Sequence, residues 1–238
     1  MGRARIVSLV PSVTETLCAL GVEPLACTRF CEQPSITAVG GTKDPDVRAI
    51  VALAPDAVVM NDEENRREDY DALRDAGLSV IDVSPRALRD VGPVVGRLAA
   101  LVARPVPAPF HAWEQWCATH AEPRVGRSAV VFVWRRPWMA LGPETFGASL
   151  LGALGIGVAP LGSAGALRYP EVTLDEVERI GPDMVLLPSE PYPFAERHRI
   201  ELERALPAAE VRLVDGQDLF WWGSRTPDAL MRLRAELR

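Results

Sequence analysis

The 238-residue sequence is poor in histidine, in cysteine and in long apolar runs, and each shortage narrows the possible functions. No apolar run approaches the roughly 18 residues that a membrane-spanning helix needs, so we expect no membrane insertion. Lysine and arginine number 26 against 32 aspartate and glutamate residues, which gives a net charge of -6. Because phosphate binding needs a basic surface, this balance argues against nucleic acid as a partner.

The first residues lack the apolar core of an export signal. Only residues 6–10 form an apolar-rich run after Arg5, and no cleavage site follows it. The four cysteines show no disulfide framework, which is typical of a reducing compartment. We therefore expect a cytoplasmic protein, or a periplasmic or extracytoplasmic one from which an export signal has been removed.

Cysteine and histidine do not form an obvious metal site. Cys27 and Cys31 make a C-x-x-x-C pair, and the simplest interpretation is small buried side chains. A metal would need further ligands, and the histidines lie far from this pair in sequence. The remaining cysteines are Cys18 and Cys117, and the histidines are His111, His120 and His198. We expect no metal site, no intrinsic cofactor and an exposed His198.

Motifs that mark common enzymes are also missing. The sequence has no G-x-S-x-G, no P-loop, no G-x-G-x-x-G and no H-E-x-x-H. Residues 40–42, Gly-Gly-Thr, are too short for a phosphate-binding loop. We therefore predict no catalytic residue and a protein that is not an enzyme.

Two segments of the first half recur in the second half. Pro55 and Asp56 separate a helical segment from an apolar run, and Pro182 and Asp183 do the same about 127 residues later. Residues 11–22 likewise resemble residues 143–156. Two unrelated segments recurring in one order indicate an internal duplication. Two similar lobes would leave a cleft between them, where ligands preferentially bind.

Strand and helix patterns alternate along both halves, which predicts an α/β fold with parallel sheets flanked by helices. We place an N-terminal α/β lobe at 1–84, a helical connector at 85–122 and a C-terminal α/β lobe at 123–238. Ser12 is predicted to cap the first helix, with Glu15 completing a capping box. Asn65 is predicted to cap the helix that follows it.

Ligands of parallel sheets bind at the carboxyl ends of the strands, which selects a set of loops. In the second half these loops are rich in tryptophan and arginine, suited to a bulky ligand with acidic groups. The alternatives are that the rings fill the core of their own lobe and that residues 63–69 are a solvated helix start. The predicted ligand-binding residues are Pro11, Ser12, Thr42, Glu63, Glu64, Asn65, Trp134, Arg135, Trp138, Arg168, Tyr169, Glu190, Phe194, Trp221, Trp222 and Arg225.

The same loops resemble those of a known family. Residues 5–15, Gly-Gly-Thr at 40–42, the turn at 53–58 and Trp221 are similar to the class III periplasmic solute-binding proteins, the group of the vitamin B12 and iron-siderophore receptors. Residues 134–138, 168–170 and 188–194 resemble the subgroup called helical-backbone metal receptors or cobalamin-binding proteins.

This resemblance implies two α/β lobes joined by one long helix, with a metal chelate in the cleft and no chemistry on it. It also implies a monomer that delivers its ligand to the permease of an ABC transporter. Glu68 would dock the first lobe on that permease, whereas Gly223 falls near the second docking position. Cobalamin or another corrinoid is the first expected ligand, and a ferric siderophore or haem is the alternative.

Two other functions stay open. A tetrapyrrole chelatase-like enzyme would need a proton acceptor, for which Glu63, Glu64, Glu190 and Tyr169 are the candidates. A protein-interaction module with a filled cleft would need no ligand.

Overall fold

A computed structural model of the chain describes residues 4–108, 110, 126–162 and 168–238. These residues divide into two compact units. The first unit contains the described residues up to Pro85, those from Asp90 to 110, and Trp222–Arg225. The second contains Arg86–Arg89, the described residues from 126 to Trp221, and Thr226–Arg238. The part of the predicted connector from 111 to 122, with His111, Cys117 and His120, lies outside the described residues.

The first unit is built around a five-stranded sheet in the order β3-β2-β1-β4-β5, and all four strand pairings are parallel. Its elements are β1 (Ile6–Ser8), α1 (Pro11–Ala19), β2 (Ala26–Cys27), β3 (Thr37–Ala38), α2 (Val47–Ala52), β4 (Ala57–Met60), α3 (Arg67–Asp75), β5 (Val80–Asp82) and α4 (Val91–Leu101). Strand β4 is buried along its whole length, which explains its unbroken apolar sequence. Val7, Val58 and Leu73 form part of the core.

The second unit also has a five-stranded sheet, ordered β10-β9-β6 with β7 and β8 both paired to β6. Its elements are β6 (Arg127–Trp134), β7 (Met139–Ala140), α5 (Phe146–Ala153), β8 (Ile156–Val158), α6 (Leu174–Ile180), β9 (Met184–Pro188), α7 (Glu196–Ala205), β10 (Glu210–Val214), α8 (Gly216–Phe220) and α9 (Thr226–Glu236). Only the pairing of β6 with β7 is antiparallel in this sheet. The predicted α/β class, with parallel-rich sheets flanked by helices, is confirmed.

The internal repeat is visible in the details of both units. The order β2-β1-β4-β5 of the first sheet matches β8-β6-β9-β10 of the second. Asp56 accepts a hydrogen bond from the backbone N–H of Arg5 at 2.8 Å, directly before β1. Asp183 accepts one from Ser128 at 2.6 Å, at the start of β6, and this bond together with the Ser128 hydroxyl lowers the pKa of Asp183. Each Pro-Asp turn therefore fixes the first residues of the neighbouring strand.

Two predicted helix caps are wrong. Helix α1 begins at Pro11, with Val10 as its N-cap and no capping side chain. Ser12 lies inside the first turn because proline is favoured at the first helical position, where its missing N–H is not needed. Asn65 is not a cap either, since Arg66 holds that position before α3.

Among the residues that the structure describes, no helix combines the length and the apolar character needed to cross a bilayer.

Candidate functional site

The carboxyl ends of the first unit's strands are tied together by two asparagines. The side-chain amide of Asn65 donates to the carbonyl of Leu9 at 3.0 Å and to that of Thr42 at 2.9 Å. Its Oδ1 accepts from the backbone N–H of Asn61 at 2.8 Å. Asn65 is 6 % exposed, so these bonds are shielded from water. One side chain therefore joins the chain segments after β1, β3 and β4.

Asn61 shapes the loop that carries the predicted ligand residues Glu63 and Glu64. Its Oδ1 accepts from the backbone N–H of Glu63 at 2.7 Å and of Glu64 at 3.3 Å, and its Nδ2 donates to the carbonyl of Val83 at 3.1 Å. We call Asn61 and Asn65 the asparagine clasp. The clasp uses its polar atoms on backbone groups, so it positions the loop.

Lys43 brings a positive charge to the same edge. Its Nζ donates to the backbone carbonyl of Glu63 at 2.7 Å. Burial lowers the pKa of Lys43, and the charge of Glu64 opposes that shift. Pro11 and Ser12 are buried in the first turn of α1, and the Oγ of Ser12 has no hydrogen-bond partner among the residues that the structure describes.

The segment Trp222–Arg225 packs on α1 within the first unit. Gly223 has φ +109°, and a Cβ added there would lie 2.1 Å from Oγ1 of Thr16. That hydroxyl donates to the carbonyl of Ser12 at 2.8 Å and accepts from the backbone N–H of Ser224 at 3.0 Å. Trp222 is only 4 % exposed. The close approach at Gly223 therefore seats this segment on the helix.

Arg225 forms an ion pair with Glu15, the residue predicted to complete the capping box of the first helix. Its guanidinium donates to both carboxylate oxygens of Glu15, at 2.8 Å each. The side chains of Arg225 and Glu15 are 15 % and 29 % exposed. The two parallel hydrogen bonds fix the guanidinium in one orientation.

In the second unit, an aromatic cluster follows the carboxyl ends of β6 and β9. Trp134 meets Tyr192 edge-on with ring centroids 5.5 Å apart, and Tyr192 lies 4.7 Å from Phe194. Phe194 stacks on Trp138 at 6.2 Å, and Trp138 reaches Phe132 in the core at 4.6 Å. We call Trp134, Tyr192, Phe194, Trp138 and Phe132 the aromatic ladder. Phe194 is buried, whereas 43 % of Trp134 is exposed, so the ladder runs from the core to the surface.

Arg135 stands beside this ladder. It donates to both oxygens of Glu201, at 2.6 and 2.8 Å, and lies over the ring of Trp138 at 5.4 Å. The hydrogen bond to Glu201 raises the pKa of Arg135. Because cations stack favourably on tryptophan, Arg135 fixes one face of Trp138.

Glu190 and Trp221 contact each other in the second unit. The indole N–H of Trp221 donates to Oε1 of Glu190 at 2.5 Å. Gly216 approaches so closely that a Cβ there would lie 2.6 Å from both the Cγ and the backbone nitrogen of Glu190. The Glu190 carboxylate is therefore held by the chain around it.

A cavity of about 720 Å³ lies in the second unit, within the roughly 300–1,000 Å³ of small-molecule sites. Three arginines line it: Arg86, Arg89 and Arg168. Glu144, Thr145 and Ser149 line it at the start of α5. Thr145 caps that helix, and the Oγ of Ser149 accepts from the backbone N–H of Leu88 at 2.9 Å. The lining suits a ligand with acidic groups.

Sequence reasoning found Arg168 but missed the other residues of this cavity. Arg86 and Arg89 lie in the stretch that the sequence marked only as connector, outside any predicted carboxyl-edge loop. Tyr169 is half-buried directly after Arg168.

In the part of the chain that the structure describes, no group of three or more His, Cys, Asp or Glu residues is placed to hold a metal ion.

The prediction that His198 is exposed is wrong, since it is 2 % exposed. Its ring lies 5.5 Å from both Tyr192 and Phe194, against the aromatic ladder. The backbone N–H of Ala195 donates to its Nδ1 at 3.0 Å, at the start of α7. The sequence contained an indication that His198 is buried. His198 lies four residues before the apolar Leu202, which is buried, so the two side chains share one helix face.

We expect the free energy of unfolding to fall between pH 7 and pH 5, partly because of His198. Burial, followed by the charges of Arg197 and Arg135, lowers the pKa of His198, and Glu201 opposes the shift. The unfolded chain therefore binds the proton first as the pH falls below about 6.5, which favours unfolding. Urea unfolding at several pH values should give a shallower dependence for His198→Gln. Parallel curves for the parent and the variant would contradict this.

No family model matches the sequence, and none of the curated proteins matches it. Solved structures, in contrast, match over nearly the whole chain. The periplasmic vitamin B12 binding protein BtuF of Vibrio cholerae has a TM-score of 0.81 at 18% identity, over 99% of this chain and 96% of that one. The periplasmic haem binding protein HutB of Vibrio cholerae has a TM-score of 0.77 at 19% sequence identity, over 99% of each chain. An ABC transporter substrate-binding protein of Listeria monocytogenes EGD-e has a TM-score of 0.77 at 13% sequence identity, over 98% of each chain.

These matches define the fold. The chain has the fold of the periplasmic solute-binding proteins of the vitamin B12 and haem type. The sequence motifs resembled the same class, so the structure confirms that resemblance at the level of the fold.

Proposed function

We propose that the chain is a non-catalytic binding protein for a metal chelate, with cobalamin or another corrinoid as the first candidate. The observation that carries this proposal is the aromatic ladder, which presents a partly exposed tryptophan, Trp134, at the carboxyl edge of the second sheet. A ring anchored in this way offers a large apolar face at a low cost in conformational entropy. The fold shared with a vitamin B12 binding protein supports the same ligand class.

A second ligand class is favoured by the cavity. Arg86, Arg89 and Arg168 line one space of about 720 Å³ at the start of α5. Guanidinium groups bind carboxylates through two parallel hydrogen bonds. The amide side chains of a corrinoid carry no negative charge and pair less strongly with arginine. Haem or a carboxylate-bearing ferric siderophore is therefore the alternative ligand.

We also propose that residues 1–84 and 123–238 form the two lobes and that residues 85–122 connect them. The acceptor of the ligand would be the permease of an ABC transporter, with exposed Glu68 in the first turn of α3 as a docking residue. The cytoplasmic location predicted from the sequence stays a prediction, which cell fractionation tests.

Titration of the purified chain with cyanocobalamin, haem and ferric citrate separates the ligand classes. We expect saturable one-to-one quenching of tryptophan fluorescence by cyanocobalamin, with a change in its visible spectrum. Trp134→Ala should weaken this binding about tenfold. Met231→Ala, which alters a side chain that is 69% exposed on α9, should leave it unchanged.

The arginine cavity provides the second arm of the experiment. If haem or ferric citrate binds instead, Arg168→Gln should weaken that binding about tenfold, whereas Arg179→Gln on the exposed face of α6 should not. Absence of binding by all three chelates would overturn the proposal. Metal-dependent turnover of a porphyrin that is lost in Glu190→Gln would instead support the chelatase-like alternative.

A further inference from the structure

One wall of the arginine cavity is fixed to the start of α5 through Gly142. The backbone N–H of Gly142 donates to the carbonyl of Arg168 at 2.7 Å. The carbonyl of Gly142 accepts from Oγ1 of Thr145, the N-cap of α5, at 2.8 Å. Arg168 is therefore held beside the first turn of this helix by two consecutive hydrogen bonds.

The opposite wall is fixed to the same helix through Ser149. Its Oγ accepts from the backbone N–H of Leu88 at 2.9 Å. Leu88 stands between the two other arginines that line the cavity, Arg86 and Arg89. All three arginines are thus attached by hydrogen bonds of the chain to one helix start.

The electrostatics of this cavity favour an anion. Among the described residues, the lining carries the charges of three arginines and of Glu144, which gives a net charge of +2. The first turn of a helix has backbone N–H groups without partners inside the helix, and its dipole adds positive potential. Phosphate groups bind at such helix starts, and arginine binds them through paired hydrogen bonds. The cavity is therefore suited to a phosphate group.

A backbone ribbon connects this cavity to the aromatic ladder within the second unit. Residues 138–142 run antiparallel to residues 168–172, and the N–H of Val172 donates to the carbonyl of Trp138 at 2.9 Å. The same pairing reaches Arg168 at the other end of the ribbon. Four residues of extended chain span about 14 Å, so Arg168 and Trp138 are held about that far apart along the ribbon.

We propose that the arginine cavity binds the phosphodiester of a corrinoid's nucleotide loop, while the corrin ring lies on the aromatic ladder. This inference rests on the proposed function, and it names the form of corrinoid that the site selects. In cobalamin the phosphodiester is the one anionic group, because the side chains of the ring are amides. It is carried on an arm below the ring, which suits a separation of about 14 Å along the ribbon. Cobinamide, which lacks the phosphate and the nucleotide, would leave the cavity without an anion.

Titration of the purified chain with cyanocobalamin and dicyanocobinamide, followed by tryptophan fluorescence, tests this assignment. We expect the parent to bind cyanocobalamin about tenfold more tightly than dicyanocobinamide. Arg168→Gln should remove this difference by weakening only cyanocobalamin, and Arg86→Gln should act in the same direction. Trp134→Ala should weaken both corrinoids, because both carry the ring. The matched control Arg179→Gln, on the exposed face of α6, should change neither affinity.

Inorganic phosphate gives a second measurement that needs no variant. We expect phosphate to compete with cyanocobalamin and to leave the affinity for dicyanocobinamide unchanged, whereas chloride at equal ionic strength should not discriminate between them. Circular dichroism of each variant separates a lost site from a lost fold.

The outcomes distinguish this inference from the proposed function. Equal affinities of the parent for the two corrinoids would overturn the phosphodiester assignment and leave the corrinoid-binding function standing. An equal loss of both affinities in Arg168→Gln would also overturn it, because Arg168 would then act on the ring. Absence of binding by either corrinoid would overturn both, and binding of haem or ferric citrate instead would assign the cavity to a carboxylate.

Discussion

Replacement of Gly223 by alanine is expected to lower the free energy of unfolding by about 3 kcal/mol. The new Cβ would lie 2.1 Å from Oγ1 of Thr16, and the backbone at φ +109° disfavours any residue with a side chain. Thr16 cannot turn away cheaply, because its hydroxyl bonds to the carbonyl of Ser12 and to the N–H of Ser224. The segment that carries Trp222 would therefore separate from α1.

Urea unfolding followed by tryptophan fluorescence measures this loss. Gly96→Ala is the matched control, since Gly96 lies in α4 of the same unit and an added Cβ would meet no described atom within 4 Å beyond its chain neighbours and the helix's own backbone. That change should stabilise the chain by up to about 1 kcal/mol, because alanine is the better helix former. A Gly223→Ala variant within about 0.5 kcal/mol of the parent would show that the close approach is unimportant.

The second large effect is expected at the asparagine clasp. Asn65→Asp should cost about 4 kcal/mol, because a buried carboxylate would replace the amide that donates to the carbonyls of Leu9 and Thr42. Asn65→Ala should cost less, since it leaves those groups unsatisfied but adds no charge. Gln33→Glu makes the same amide-to-acid change at a half-exposed position and should have little effect.

The deficit of Asn65→Asp should shrink as the pH falls. Repulsion by the two carbonyls raises the pKa of the new carboxyl in the folded state, so the folded state takes up its proton first. Once protonated, the group can donate to one carbonyl again. Urea unfolding of parent and variant at pH 7 and pH 4 checks this, and a deficit that is constant with pH would contradict the carboxylate explanation.

The sequence predicted the elements whose apolar pattern is set by burial. Strands β4, β6 and β10 belong to the strand pattern that the sequence shows, because each is an apolar-rich run with β-branched residues and lies between turn residues. Strand β3 was missed because its two residues, Thr37 and Ala38, are exposed and carry no pattern. The antiparallel β7 was missed for its short length, since two residues cannot show a period.

The candidate site was predicted less completely than the fold. The loops at carboxyl ends follow from the parallel order, so Asn65, Trp134 and Glu190 could be selected from sequence. The pairing of these residues could not be predicted, because the amide bonds of Asn65 and the indole bond of Trp221 join residues distant in sequence. Local sequence also gave no reason to place Arg86 and Arg168 around one cavity.

The aspartates of the two Pro-Asp turns have an evolutionary consequence. Both copies of the repeat retain the carboxylate that fixes a central strand, whereas the loops after β4 and β9 have diverged, one toward asparagine and the other toward aromatic rings. In this duplicated fold, the positions that maintain folding are the turn aspartates, which are the same in both copies. The positions that differ between the copies lie in the loops. Mutations in the loops of one copy can therefore change the side chains that this copy presents, while the loops of the other copy stay as they are. A change in binding specificity can then proceed one copy at a time.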